Sequence, residues 1–272
     1  MSDNSHNPPA QDAETYARPT DDEILQYERK IKEPHTLAPL VGEKTGFESL
    51  QAEYADGSPT TQAKIALLAE EYSGLRCTRR DGNCFYRGLA YRLCELVSER
   101  KDTLWAKAVM QRLGPHSREA VGRAGYDLDL MGDFAECWED AVRDGDREGA
   151  AADSVVCWLR IVTAAILKNN RDMFEAFILD SYPTLDLFIG SQVEPMNIEA
   201  DQPHIVAIAN ALGVTIKIGN LDTTLNTDGV MNWHEIEPLE PLVIPDSAPK
   251  AEDQPQVVLL YRPGHYDILY PI

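Results

Sequence analysis

QVVLLYRPGHYDILYP, residues 256 to 271, holds two short runs of strand-forming residues separated by Pro263 and Gly264. Valine, leucine, isoleucine and tyrosine fit a pleated surface, and a Pro-Gly pair between two such runs predicts an antiparallel hairpin. Upstream, VTIKIGN (214–220) alternates like a strand, with Val214, Ile216 and Ile218 on one face. It follows HIVAIANAL (204–212), a predicted helix bracketed by Pro203 at its start and Gly213 at its end. Between 222 and 255 runs a long connection with six prolines or glycines and many acids, in which at most one short strand is expected.

The rest of the chain reads as helical. DSVVCWLRIVTAAILKNN (153–170) is apolar on nearly every side behind a capping Asp153, which predicts a central buried helix. A second long helix is expected from Cys84 to about Glu99, with Leu89, Leu93 and Leu96 or Val97 facing inward. TLWAKAVMQRL is expected to stop at Gly114-Pro115, and DFAECWEDAV and NRDMFEAFIL add further helices. In TTQAKIALLAEEYSG the stripe of Ile65, Leu68 and Tyr72 predicts a helix ended by Gly74, with LRCTRR as a short extended segment after it. FESLQAEYAD carries Phe47, Leu50 and Tyr54 at helical spacing, and EILQYERKIKE carries Ile24, Tyr27 and Ile31. Residues 1–22 have no apolar period and are expected to form a disordered acidic tail, followed over 23–45 by a helix and a linker. The fold class is therefore α+β, a helical body packed beside a small, mostly antiparallel C-terminal sheet.

Composition narrows the function. The 272 residues carry a net charge of −20, which repels nucleic acid and anionic membrane and favours a partner presenting basic side chains. The same charge also serves solubility alone. No run approaches a membrane span, and the polar N-terminus lacks a signal core. Five cysteines without a CxxC pair suit neither a disulfide framework nor a zinc cluster, so a reducing compartment, cytoplasm or nucleus, is expected, with no metal or cofactor.

In DGNCFYR (81–87), Cys84 stands directly after an Asp-Gly turn and directly before the predicted helix. Unpaired N–H groups and the helix dipole favour a thiolate there, and Gly82 lets N–H groups converge where a carbonyl oxygen would become an oxyanion. Taken alone, the heptapeptide fits a small hydrophobe buried at a helix start better than a nucleophile. In GHYDILYP, His265 and Asp267 lie two apart on a predicted strand, so both side chains leave the same face. A carboxylate so placed can orient the imidazole and leave its second nitrogen for a thiol. Taken alone, the pair also fits a surface histidine beside an exposed aspartate.

Together, DGNCFYR and the late YRPGHYDILYP resemble the ovarian-tumour (OTU) class of cysteine proteases, specifically its otubain branch. VEPM (193–196), HIVAIANALGV and VVLLYRPGHYDILYP match the same pattern, and the resemblance runs from about Gly46 to Ile272. It implies a papain-like OTU catalytic domain over 46–272 that removes ubiquitin from polyubiquitin and other conjugates. Cys84 would be the nucleophile, His265 the base, Asp267 its orienter, and Asp81 the motif aspartate whose turn helps form the oxyanion hole. The branch is associated with lysine-forty-eight-linked chains and also with non-catalytic sequestration of ubiquitin-charged conjugating enzymes, so ubiquitin, polyubiquitin and such enzymes are the implied partners of a monomer. EILQYERKIKE and FESLQAEYAD are the segments available for a second ubiquitin. Two departures stand out: Arg80 occupies a position where relatives often carry proline, and the 222–255 connection is long.

The other candidates are weaker. Cys94, Cys137 and Cys157 read as core thiols, and His204, after Pro203, as a structural or capping residue. His116 and His234 have no carboxylate at an interpretable spacing.

Overall fold

The computed structural model describes residues 20, 38–224, 231–240, 242 and 255–272. The expected disordered tail and the helix of Ile24, Tyr27 and Ile31 fall outside the described residues, as does much of the long connection. The chain divides into a unit Met1–Leu37 and a unit Ala38–Ile272, and the second carries everything that follows.

Its elements run α1 (Glu48–Glu53), α2 (Pro59–Glu71), β1 (Tyr72–Arg76), α3 (Cys84–Glu99), α4 (Leu104–Gln111), α5 (Ser117–Arg123), α6 (Leu128–Asp144) and α7 (Arg147–Ala150). After these come α8 (Asp153–Asn169), α9 (Arg171–Ile178), α10 (Leu185–Phe188), α11 (Gln202–Leu212), β2 (Ile216–Asn220), β3 (Asn232–Ile236), β4 (Val257–Arg262) and β5 (His265–Pro271). The five strands form one sheet in the order β1-β5-β4-β2-β3, in which only the β2–β4 pair is parallel. The expected hairpin is β4–β5, with Arg262 opposite His265 and Leu260 opposite Asp267. Gly264 makes the turn at a φ of 79°, a left-handed conformation that favours glycine.

One edge of the sheet comes from far upstream. The helical stripe of Ile65 and Leu68 does not extend to Tyr72: α2 ends at Glu71 and Tyr72 is already extended. Gly74 is not the helix stop either. It sits within β1 at a φ of 149°, beside a register shift against β5, and a Cβ there would lie 2.4 Å from the Thr45 carbonyl oxygen. The glycine serves a close crossing of the segment 41–45, which bridges to β1 through Thr45 and Leu75.

Alternation along the hairpin sorts the two sheet faces. Leu259 and Ile268 point into the main core, which contains Leu89, Leu93, Leu96 and Val97 of α3 and much of α8. Val258, Leu260 and Leu269 point the other way, into a smaller core with Phe47, Leu50, Ile65 and Leu68. Phe47 and Leu50 of the stripe are thus packing under the sheet, with Tyr54 partly buried against them. Each fully buried leucine or isoleucine contributes about 1.5–3 kcal/mol, so both faces hold the hairpin in place. α8 is buried along its length, as its sequence required.

Gly114-Pro115 does not stop the chain's helical path. Residues Arg112–His116 form a wide turn that leads from α4 straight into α5. Pro115 has no N–H to give, and Ser117 Oγ donates to the Arg112 carbonyl at 2.7 Å, satisfying an acceptor there.

Candidate active site

The turn before α3 is tied by Asp81. Its Oδ1 accepts from the Asn83 N–H at 2.9 Å, and its Oδ2 accepts from Arg87 Nη2 at 2.6 Å and Nε at 3.0 Å. Arg87 is buried and also donates to the Ala151 carbonyl and to Asp153, anchoring the turn to α7 and the start of α8. Gly82 adopts a φ of 76°, and a Cβ on it would lie 2.3 Å from the Asn197 carbonyl oxygen, so glycine is required on both counts. Cys84 then opens α3, with its side chain inside the protein. Burial pushes its thiol up to about 11, and the negative charges of Asp267 and Asp81 act in the same direction. The backbone N–H groups of Tyr266 and Phe85 act against that rise, and the first of these places the sulfur at the start of β5.

His265 and Asp267 stand on β5 as the two-residue spacing requires. His265 Nε2 lies 2.8 Å from Asp267 Oδ1, and both side chains are buried. A carboxylate accepts only, so Nε2 carries the proton in the neutral ring and the lone pair is on Nδ1. That Nδ1 is buried and has no hydrogen-bond partner among the described residues. Asp267 Oδ1 also accepts from the Thr78 N–H at 3.0 Å, and Oδ2 meets Arg262 Nη2 at 2.6 Å as an ion pair. Burial alone would raise the Asp267 carboxyl, but the His265 hydrogen bond and charge, the Arg262 charge and the Thr78 N–H together hold it below the usual carboxylate range. Arg262 reaches in turn to Glu53 at the end of α1, 2.8 Å away, and Glu53 also meets Arg80 at 3.1 Å. The arginine that replaces a proline therefore has a partner of its own.

The remaining candidates separate cleanly. His204 closes a capping box: its Nδ1 accepts from the Asp201 N–H at 3.1 Å, and its Nε2 lies 3.1 Å from the Gln192 carbonyl. Cys94 is a core thiol, but Cys157 is only half-buried and Cys137 is exposed. One step along a helix turns a side chain by about 100°, so Trp138 points inward while Cys137 faces water. His116 and His234 are exposed. Among the described residues no group of three or more His, Cys, Asp or Glu is placed to hold a metal, and no helix is long and apolar enough to cross a membrane.

Four residues that support this arrangement were not singled out from the sequence: Arg87, Arg160, Asn197 and Arg262. A lone arginine inside the apolar run of α8 was a visible signal for Arg160, whereas nothing local marks Arg262.

A groove of about 740 Å³ has Tyr266 in its lining, while Cys84, His265 and Asp267 are not among the residues that line it. Aromatic side chains (Tyr261, Trp233) and acids (Glu199, Asp201, Glu235) line it. A buried thiol at a helix N-terminus and an imidazole whose second nitrogen is left free by its bond to a carboxylate are the parts of a thiol hydrolase, and no hydrogen bond joins Cys84 to His265 among the described residues.

Comparison with known proteins gives that class its family. The model of the otubain peptidase family, Peptidase C65, matches residues 33–271. The Arabidopsis thaliana protein OVARIAN TUMOR DOMAIN-containing deubiquitinating enzyme 1 is 35% identical over 88% of this chain and 83% of its own length. Human ubiquitin thioesterase OTUB1 is 33% identical over 91% of this chain and 89% of its own length. Among solved structures, the complex of h/ceOTUB1 with ubiquitin aldehyde and UBC13~Ub aligns with a TM-score of 0.75 at 25% identity, covering 93% of this chain and 98% of that one. The corresponding complex with UBCH5B~Ub gives 0.73 at 26% identity, over 92% and 98% of the two chains. This chain belongs to the otubain family of cysteine-type deubiquitinating peptidases.

Proposed function

We propose that this protein is a ubiquitin-specific thiol isopeptidase that hydrolyses the bond after the C-terminal glycine of ubiquitin, with lysine-forty-eight-linked polyubiquitin as its preferred substrate. Cys84 gives its proton to His265 Nδ1, and the sulfur attacks the glycine carbonyl carbon. The S–C bond forms with the carbonyl π electrons moving onto oxygen, and the tetrahedral intermediate collapses by breaking the C–N bond to the substrate lysine as the imidazolium gives its proton to the leaving amine. Water then cleaves the thioester, with His265 taking its proton and handing it back to the sulfur. Asp267 orients the ring throughout. The turn of Asp81 shapes the oxyanion site: its carboxylate occupies the Asn83 N–H, while the Cys84 N–H has no acceptor among the described residues.

The observation that carries this reading is the buried, partnerless His265 Nδ1 opposite the Nε2–Asp267 bond. The acidic groove supports it, because ubiquitin ends in a flexible basic tail closing with two glycines. The test is hydrolysis of a fluorogenic ubiquitin C-terminal amide by the native chain and by Cys84→Ala, beside a panel of di-ubiquitins of every linkage. Cys84→Ala should abolish turnover and still bind ubiquitin, since the thiolate is the sole covalent centre. Turnover within about tenfold of native would overturn the assignment.

A second reading, a non-catalytic binder of ubiquitin-charged conjugating enzymes, is favoured by one observation. The solved relatives above are complexes with UBC13~Ub and UBCH5B~Ub. A native chain that binds such a conjugate but leaves every di-ubiquitin intact would favour it.

A further inference from the structure

Arg160 lies mid-way along α8, and its side chain is wholly buried. A guanidinium keeps its charge under all ordinary conditions, so its burial is costly unless a carboxylate or several acceptors surround it. No carboxylate pairs with Arg160 among the described residues. Its partners are neutral oxygens: the carbonyls of Val193 at 3.1 Å, Gly82 at 3.0 Å and Ile198 at 2.5 Å, and Asn83 Oδ1 at 2.9 Å. The cation also lies 4.7 Å from the centre of the Tyr86 ring. Two of the four acceptors belong to the turn that presents Cys84, and two belong to the loop 193–198. The same pair of segments is stitched again by Asn83 Nδ2 to Asn197 Oδ1 and Asn197 N–H to Asn83 Oδ1, both at 2.9 Å.

The charges around Cys84 make this cation informative. Asp81 and Asp267 both oppose a thiolate, as does burial. Arg87 is committed to Asp81 and Asp153, and Arg262 to Asp267 and Glu53. The Arg160 charge lies over the Tyr86 ring and interacts through space with Cys84 of α3, Asp81 of the turn, Cys157 of its own helix and His204 on α11. Among the described residues Arg160 has no carboxylate partner, and Arg79, an arginine shortly before Cys84 that also has none, is spent on the Ala38 carbonyl.

We propose that Arg160 is a positioning residue for the nucleophile: its buried charge stabilises the Cys84 thiolate, and its fork locks the turn 81–83 to the loop 193–198. This rests on Cys84 being the nucleophile. A buried charge removed from a thiolate's neighbourhood shifts the thiol's titration upward, by about one pH unit or more. Lysine at the same place keeps the charge but lacks the planar fork that spans both segments.

The experiment is alkylation of each cysteine by iodoacetamide as a function of pH, resolved by mass spectrometry on the free full-length protein, together with kcat and KM on the fluorogenic ubiquitin amide. In Arg160→Gln the Cys84 alkylation profile should move up by about one pH unit. In Arg160→Lys it should stay within about 0.3 unit of native while kcat falls about tenfold at similar KM. The lysine arm carries the test if the glutamine variant does not fold. A native-like profile in Arg160→Gln, or a rise of about one unit in Arg160→Lys, would overturn the proposal. Turnover of the fluorogenic amide by Cys84→Ala within about tenfold of native would instead sink the nucleophile reading beneath it.

Discussion

Arg160 and Arg262 are both buried at the candidate site, one beside the turn of the nucleophile and one beside the base's orienter, and their partners differ in kind. Arg160 rests on three backbone carbonyls and an amide oxygen, so its own charge is not neutralised by a carboxylate beside the turn that presents the nucleophile. Arg262 lies between Asp267 and Glu53, so beside the orienter the charges are matched. A thiolate gains from the first arrangement. The second suits an orienter that must remain ionised inside the protein, because an isolated buried carboxylate would take up a proton instead. One kind of side chain thus tunes a reacting group in one place and immobilises a supporting group in the other.

The largest effects should come from the reacting groups themselves. His265→Ala should be as damaging as loss of Cys84, lowering kcat/KM by about a thousandfold or more on the fluorogenic amide, because the ring exchanges protons with thiol and leaving group. Asp267→Ala should cost less, about tenfold to a hundredfold, since the carboxylate only orients the ring and supports its charge. An alanine at 267 that proved worse than one at 265 would reverse the roles and call for another base.

The matched pair can be probed by a double-mutant cycle. Asp267 Oδ1 accepts from Thr78 N–H and His265 Nε2, while Oδ2 lies 2.6 Å from Arg262 Nη2 as an ion pair without a hydrogen bond. In Asp267→Asn the amide nitrogen must confront one of these groups, and breaking a buried pair in this way costs about 3–5 kcal/mol. Adding Arg262→Met removes the facing cation, so the double variant should unfold at higher denaturant than Asp267→Asn alone. Simple additivity of the two losses would mean that the ion pair is not the unit it looks like. Arg160 has no carboxylate among the described residues, so no such rescue exists there.

The smallest effect concerns His204, which fastens α11 to the Gln192 carbonyl beside the loop that Arg160 holds. Burial is the main cause that lowers its ring below the usual 6.5, and the Arg160 charge adds to it. The unfolded chain therefore takes up the proton first as pH falls. The stability contribution is complete above pH 6.5 and is lost progressively below it, down to the depressed folded value. Melting temperatures of the native chain and His204→Gln, followed from pH 7.5 to 5, should converge on acidification, and parallel curves would remove His204 as the cause.

The sequence by itself determined the parts whose information is local. A period of two puts His265 and Asp267 on one face of β5. An Asp-Gly turn before a helical pattern puts Cys84 at a helix start, and an uninterrupted apolar run buries α8. His204 as a capping residue was legible for the same reason, because a cap is read within four residues. Where local signals competed, packing decided: Gly74 looked like a helix stop and is a strand crossing, and Cys137 looked like core beside Trp138 and faces water. The electrostatics of the two arginines belong to tertiary structure alone. Arg262 meets Glu53 across 209 residues of chain, and Arg160 meets Asn83 across 77. No periodicity encodes such pairs: they exist because burial strips water from each charge and leaves it only the oxygens that the packed neighbours present.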